Sequence, residues 1–310
     1  MSPPVYVPFQ PHLSDMMIVP GPASKELGEA IARQLGAEAH PVDHRLFPDG
    51  ESYLRLTADV KGETVILVQT TAPDPDRKLV QLLVMARTAR DFGARSVIAC
   101  VPYLAYMRQD KRFLEGEALS FDVVLGLLED SGVDDLLVVD LHSEESLKRI
   151  QPRHRIRVHT LSAIPVIAGY LKEHGYDGAY SLSPDVGRKD IVEAASGVMG
   201  GGFGFFEKIR DLKTGETTML VKDLEVKGRK AVVFDDIISS GGTMARAIKG
   251  LKAQGAVKVA AACTHALFME GAEERLRDAG ADLILATDTV ESVHGVVSVA
   301  GLLAEWLRSL

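Results

Sequence analysis

Two adjacent carboxylates followed by a hydroxyl- and glycine-rich turn form the segment with the clearest chemistry. Asp235 and Asp236 follow a run of β-branched and aromatic residues, 231–234, that predicts a buried strand. Segment 239–243, Ser-Ser-Gly-Gly-Thr, leads into a predicted helix over 244–252. The glycines let the backbone approach a ligand, and free N–H groups at a helix start favour an anion such as phosphate. Carboxylates would repel phosphate and instead suit hydroxyls or a metal ion, so the segment indicates a sugar phosphate.

The same segment has a purely structural alternative. A tight strand-to-helix turn with solvated carboxylates would use the same glycines. A Walker P-loop is excluded, because it requires Gly-Lys before Ser or Thr, and no lysine follows Gly242. Other polar segments must therefore decide between a simple turn and a ligand site.

A polar turn in the first half has residue types that suit a nucleobase. Within 45–51, Phe47 offers an aromatic face. Asp49 and Glu51 can accept hydrogen bonds from an exocyclic amine. The Pro-Asp-Gly sequence also occurs in ordinary turns, which remains the alternative.

A cationic loop follows another predicted strand. Segment 102–112 contains Arg108 and Gln109, with two further cations at Lys111 and Arg112. Arginine suits bidentate phosphate contacts, so the loop predicts a phosphate-binding lid. A solvated charged loop is the alternative.

Two further strand ends have candidate ligands for a divalent cation. His142 follows a predicted strand, close to Asp140. Asp185 lies in 183–189, where a strand ends, a glycine frees the backbone and a helix starts with cations. Those cations oppose the helix dipole unless an anion binds beside them.

Two cations alternate at the end of a later predicted strand. Lys208 and Arg210 share one face of it, because side chains i and i+2 point the same way. Residues 211–217 resemble a hairpin tip, which would place both cations on a projecting arm. Such an arm would suit stabilisation of a phosphoryl transition state.

Composition excludes several function classes. The 310 residues are 46% hydrophobic and 25% charged, as in a globular protein, and the net charge is −8. This acidity argues against a general nucleic-acid or membrane-surface binder. No apolar run could cross a bilayer and no secretion signal is present, so we expect a cytoplasmic protein. The two cysteines, Cys100 and Cys263, lie in apolar runs and are expected to be buried and reduced.

Strand-like runs alternate with helical periodicity after a proline-rich start. This pattern predicts an α/β fold with two doubly wound parallel sheets. We expect an extended tail over 1–16, an N-terminal domain over 17–155 and a C-terminal domain over 156–296. The sequence leaves open whether the final apolar helix, 297–310, packs on the first domain.

In this order, the segments resemble ribose-phosphate diphosphokinases, the synthetases of phosphoribosyl diphosphate (PRPP). The resemblance covers the chain from about residue 17, and the loop sequences are most similar to the archaeal branch. It rests on five segments in register, namely 47–51, 103–112, 140–142, 183–187 and 208–210, ahead of the loop at 239–243. The fold it implies has two domains of phosphoribosyltransferase-like type.

The resemblance implies a reaction in which ATP donates its diphosphoryl group to ribose 5-phosphate, giving PRPP and AMP. It implies four groups of residues: for ATP, Phe47, Asp49, Gly50, Glu51, Arg108 and Gln109; for Mg²⁺, His142 and Asp185; for catalysis, Lys208 and Arg210; for ribose 5-phosphate, Arg210, Asp235, Asp236, Ser239, Ser240, Gly241, Gly242 and Thr243.

Two other functions remain open. A phosphoribosyltransferase would use the 235–243 segment on PRPP, and a non-catalytic paralogue would regulate a true synthetase. Ser239-Ser240 departs from the Asp-Thr or Ser-Thr of many members but keeps a hydroxyl. The arm after Arg210 differs from the common bacterial sequence, which leaves phosphate activation, ADP inhibition and hexamer formation open. Family habit predicts a homo-oligomer, with neither nucleic acid nor membrane as a partner.

Overall fold

The computed structural model describes residues 15–184, 188–205, 207–210, 217–220 and 224–310. In 207–210 and 217–220 it describes the backbone. The helices are α1 (Lys25–Leu35), α2 (Pro75–Asp91), α3 (Ser120–Asp130), α4 (Glu144–Ile150), α5 (Ile164–Leu171), α6 (Lys189–Met199), α7 (Gly242–Ala253), α8 (Ala272–Asp278) and α9 (Ala300–Arg308). The strands are β1 (Met16–Pro20), β2 (Asp43–Leu46), β3 (Ser52–Arg55), β4 (Thr64–Val68), β5 (Ser96–Val101), β6 (Asp135–Val139), β7 (Arg157–Leu161), β8 (Tyr180–Ser183), β9 (Phe203–Phe205), β10 (Glu207–Arg210), β11 (Thr217–Leu220), β12 (Lys230–Ile238), β13 (Lys258–Ala266), β14 (Leu283–Thr287) and β15 (Gly295–Val297).

The chain divides into two compact units. The first contains the described residues up to Val138, with Ser143–His159 and Ala300–Leu310. The second contains Val139–His142 and the described part of Thr160–Val299. In the first unit, α9 packs against α1.

The first unit is built on a five-stranded sheet with the order β1-β4-β5-β6-β7. The pairs β1–β4, β4–β5 and β5–β6 are parallel. Every residue of β4 is buried, as expected for a parallel strand that is covered on both faces. The strands β2 and β3 form a separate antiparallel hairpin, which the sequence patterns did not predict.

The second unit contains a six-stranded sheet with the order β15-β14-β13-β12-β8-β9. All of its strand pairs are parallel. The helices α7 and α8 contribute to the apolar core on one face, whereas α5 contacts β13, and α6 contacts β8 and β12. The predicted doubly wound parallel fold is therefore confirmed.

Several predicted element boundaries change. The single strand predicted to end at Lys208 and Arg210 is wrong: β9 joins the large sheet, while β10 pairs with β11 in an antiparallel hairpin. Of the predicted tail over 1–16, residues 1–14 lie outside the described residues, and Met16 already begins β1. Cys100 and Cys263 are buried free thiols, as predicted. None of the helices in the described part has an apolar stretch long enough to traverse a bilayer.

Candidate active site

The turn between β12 and α7 has the geometry of an anion site. Gly241 adopts φ 72° immediately before α7, a conformation that favours glycine. A Cβ there would lie 3.2 Å from the carbonyl oxygen of Ala272. Gly241, the N-cap residue of α7, provides no side-chain cap, which leaves N–H groups of the first turn and the helix dipole to favour an anion.

The segment after β13 holds this turn through its carbonyl groups. Leu267 N donates to Ile238 O at 3.1 Å, and Met269 N donates to Ser239 O at 3.0 Å. The guanidinium of Arg275 donates to the carbonyl oxygen of Ser240. Because these hydrogen bonds hold the carbonyl groups of Ile238, Ser239 and Ser240, the turn is preorganised. Ser239 and Thr243 are partly exposed and Ser240 is exposed.

Asp235 and Asp236 lie within β12, close to its carboxyl end. Burial and the neighbouring Asp236 carboxylate raise the pKa of Asp235 well above its usual range. Burial opposes ionisation of Asp236, but its hydrogen bond with His142 and the charge of Arg188 outweigh this and lower its pKa. The two neighbouring carboxyls are therefore biased towards opposite protonation states.

His142 and Arg188 converge on Asp236. Nδ1 of His142 lies 2.8 Å from Oδ2 of Asp236. Nη1 of Arg188 lies 3.4 Å from the same oxygen and donates to the carbonyl oxygen of His142 at 2.9 Å. Arg188 stands immediately before α6, where the sequence predicted that cations would neutralise an anion. Within the structure, the carboxylate of Asp236 is one such anion.

The turn that presents His142 is fixed from within the second unit. Asp140 is buried at φ 41°, and its carboxylate accepts from Thr264 Oγ1 at 2.5 Å and from Ala163 N at 3.0 Å. Burial raises the pKa of Asp140. The neighbouring His265 lies 3.0 Å from the carbonyl oxygen of Val139 through Nε2. These contacts fix the backbone of 139–142, the part of the second unit that contains His142.

The residues predicted to bind a nucleobase lie in the first unit, in the loop of the β2–β3 hairpin. Phe47 is 42% exposed, and its ring meets that of Tyr53 edge-on at 6.3 Å. Gly50 adopts φ 93°. The carboxylate of Asp49 accepts from Glu51 N at 3.2 Å, which stabilises the turn.

The cationic loop after β5 is anchored at Asp110, the residue that follows Arg108 and Gln109. Arg108 and Gln109 are exposed, whereas the following Asp110 is buried. The carboxylate of Asp110 accepts from the Ser146 hydroxyl, and its carbonyl accepts from Arg149. The side-chain oxygen of Gln109 accepts from Ser120. The loop therefore presents Arg108 from a fixed base.

The remaining predicted residues are described only in part. Lys208 and Arg210 lie in β10, in register with Met219 and Thr217 of β11. Asp185 lies outside the described residues. The structure brings His142 to Asp236, close in sequence to the anion-binding turn.

Sequence patterns did not predict the roles of Arg188, Thr264 and Arg275. Arg188 was visible only as one of several cations at a helix start. Thr264 and Arg275 act through contacts that join segments distant in the chain. A polar residue at the carboxyl end of β13 was the available signal for Thr264, since ligands of parallel sheets gather at that edge.

Comparisons with known proteins cover both units. A family model described as the N-terminal domain of ribose phosphate pyrophosphokinase matches residues 16–132, and a phosphoribosyl transferase domain model matches residues 191–300. A ribose-phosphate pyrophosphokinase of Saccharolobus solfataricus is 38% identical, over 89% of this chain and 93% of its own length. The enzyme of that name from Methanothermobacter thermautotrophicus is 37% identical, over 94% of this chain and all of its own length.

A comparison with solved structures supports the same family. The crystal structure of phosphoribosylpyrophosphate synthetase from Mycobacterium smegmatis superposes with a TM-score of 0.83 and 29% identity. The match covers 95% of this chain and 98% of that one. The predicted resemblance, including its archaeal character, is thereby confirmed. The chain belongs to the ribose-phosphate pyrophosphokinase family.

Proposed function

We propose that this chain transfers the β,γ-diphosphoryl group of ATP to the anomeric hydroxyl of ribose 5-phosphate, forming PRPP and releasing AMP. The observation that carries the proposal is the preorganised β12–α7 turn, which follows two adjacent carboxyls whose pKa values are shifted in opposite directions, in a chain of this family. The turn suits a phosphate, and the less buried carboxyl, that of Asp235, suits sugar hydroxyls.

Ribose 5-phosphate would bind with its phosphate at the β12–α7 turn. The N–H groups of 239–243 and the hydroxyls of Ser239, Ser240 and Thr243 would surround that phosphate. Asp235 would contact the ribose hydroxyls, because its carboxyl can accept hydrogen bonds from them and, in the protonated form that its raised pKa favours, can also donate one.

ATP would bind to residues of the first unit. The exposed ring of Phe47 would stack on adenine, and the 49–51 turn would contact the exocyclic amine. Arg108 and Gln109 would contact the ATP, with the arginine positioned to take its phosphates. The anchoring of Asp110 supports this role, since a fixed base lowers the cost of ordering the loop.

His142 and Asp185 would hold Mg²⁺. Among the described residues, no group of three or more His, Cys, Asp or Glu is arranged to hold a metal ion. Mg²⁺ is commonly bound by one or two protein groups together with the phosphates of a nucleotide. His142 fits as one ligand, because Nδ1 faces Asp236 while the side chain is 39% exposed. Bound Mg²⁺ would neutralise phosphate charge.

The reaction needs an in-line attack of the anomeric oxygen on the β-phosphorus, with AMP as the leaving group. No covalent enzyme intermediate is required, so positioning and charge neutralisation would provide most of the acceleration. Lys208 would be the principal catalytic residue. Arg210 would contact ribose 5-phosphate and the transferred group.

A product assay tests the proposal. The chain, incubated with ATP, Mg²⁺ and ribose 5-phosphate, is expected to form AMP and PRPP in equal amounts, and neither product when ribose 5-phosphate is omitted. Base-dependent release of diphosphate from PRPP would instead identify a phosphoribosyltransferase. A chain inactive in both assays would favour the regulatory paralogue. We further propose that the chain is cytoplasmic and forms a homo-oligomer. Sedimentation of the purified chain would test the oligomeric state.

A further inference from the structure

Asp236 occupies a position that differs from that of Asp235. Its side chain is only 6% exposed, and its Oδ2 lies 2.8 Å from Nδ1 of His142. Asp235 is the more exposed member of the pair. A residue enclosed by a histidine and an arginine is poorly placed to receive sugar hydroxyls. The two carboxyls therefore need not share the role that the sequence assigned to both.

We propose that Asp236, held by Arg188, is a positioning residue that fixes the ring of His142 and leaves Nε2 of that ring free for the cation accompanying the nucleotide. This inference rests on the proposed function, within which it gives Asp236 a task separate from ribose binding.

The direction of the hydrogen bond follows from the partners. An ionised carboxylate can only accept, so Nδ1 of His142 carries the hydrogen. In a neutral imidazole the other nitrogen, Nε2, then has the lone pair. A histidine that binds a metal ion commonly donates its second ring nitrogen to a carboxylate, which fixes both ring orientation and tautomer. His142 and Asp236 have this arrangement, and the imidazole remains 39% exposed.

Arg188 completes the arrangement. Through Nη1 it donates to the carbonyl oxygen of His142 at 2.9 Å and approaches Oδ2 of Asp236 at 3.4 Å. Its positive charge thereby compensates the negative charge of the buried Asp236 carboxylate. Its hydrogen bond to the carbonyl oxygen restrains the backbone of His142, the residue whose ring Asp236 orients. Its own Nε is buried without a hydrogen-bond partner among the described residues.

Nitrogen-15 NMR of histidine-labelled protein tests the inference without relying on turnover. At about pH 8, His142, assigned by loss of its signal in His142→Gln, is expected to show the Nδ1–H tautomer in the wild type. In Asp236→Ala the population is expected to move towards Nε2–H. Asp235→Asn is the matched control, since it removes the neighbouring carboxyl and is expected to keep the Nδ1–H tautomer.

Binding of Mn²⁺, followed by electron paramagnetic resonance, gives the second measurement. Asp236→Ala is expected to weaken Mn²⁺ binding about 10- to 100-fold, and Arg188→Gln is expected to weaken it by a smaller factor in the same direction. Asp236→Asn provides a less disruptive variant if the alanine protein does not fold, with loss of a single fixed tautomer as its expected result.

Two results would overturn the inference: an Nε2–H tautomer in the wild type, or an Asp236 variant that keeps the wild-type tautomer and Mn²⁺ affinity while binding ribose 5-phosphate more weakly. Failure of the proposed function is distinguishable, because a wild-type chain that forms no PRPP refutes that function alone. The tautomer and Mn²⁺ affinity decide the role of Asp236 in either case.

Discussion

His265 makes the stability of the chain depend on pH. It is fully buried, with Nδ1 2.9 Å from the hydroxyl of Thr289 and Nε2 3.0 Å from the carbonyl oxygen of Val139. A carbonyl can only accept, so Nε2 donates to Val139. The neutral ring satisfies this contact, and burial lowers the pKa of His265 from 6.5 to about 4.

The size of the effect on stability follows from the difference between the pKa of His265 in the unfolded chain, 6.5, and in the folded chain, about 4. The neutral ring contributes stability that is fully present above the unfolded value of 6.5 and is lost as the pH falls towards about 4. In that interval the unfolded chain binds the proton and the folded chain does not, so acid favours unfolding. Between about pH 7.5 and about pH 4.5, linkage gives a loss of about 2.5 kcal/mol in the free energy of unfolding.

Urea unfolding of the wild type and of His265→Gln, each at both pH values, measures this loss. Glutamine can still donate to the carbonyl of Val139 but does not titrate. The variant is expected to be less stable at neutral pH because it packs less well. The decrease in its free energy of unfolding from about pH 7.5 to about pH 4.5 should be about 2.5 kcal/mol smaller than the decrease in the wild type. Parallel pH dependence in the two proteins would refute the assignment of the proton to His265.

Three further predictions concern the site. Lys208→Ala is expected to lower kcat by about 10²- to 10³-fold while largely sparing ribose 5-phosphate binding; equal losses in PRPP formation and in calorimetric affinity would contradict its catalytic role. Gly241→Ala should cost about 1–2 kcal/mol from its φ of 72° and weaken ribose 5-phosphate binding. The control Gly228→Ala, at φ 73° in open space, should lose the same φ-dependent stability, without the added contact to Ala272, and no affinity. Asp110→Ala should raise KM for ATP by about tenfold, since it loses about 1–1.5 kcal/mol of loop anchoring; an unchanged KM in steady-state assays would argue against this loop as an ATP contact.

The sequence predicted the buried parallel strands because their apolar runs are continuous. Residues 64–68 and 231–234 needed no long-range information. The β2–β3 hairpin was missed because its strands are short and mostly exposed, so neither has a clear apolar face. The break between β9 and β10 was missed because the residue types suit a strand on both sides of it.

The sequence predicted which strand ends carry the residues of the candidate site. It did not predict which of those residues contact each other. Topology places the carboxyl ends of parallel strands at one edge of each sheet, and the loop at 239–243 and His142 were each sought at the end of the strand that precedes them. The contact between His142 and Asp236 joins residues 94 positions apart. No local pattern distinguishes which of two adjacent carboxyls makes it. That choice depends on strand register and on where Arg188 enters.

The electrostatics of β12 resolve a conflict that the sequence itself raises. Two carboxylates close to an anion-binding turn would repel the phosphate that the turn is built to hold. The structure cancels one charge by pairing Asp236 with Arg188. It reduces the other by raising the pKa of Asp235, which favours the neutral form of that carboxyl. Asp235 can therefore supply hydrogen-bonding groups beside the turn while Asp236 adds no uncompensated negative charge, which is what a site for both a diol and a phosphate requires.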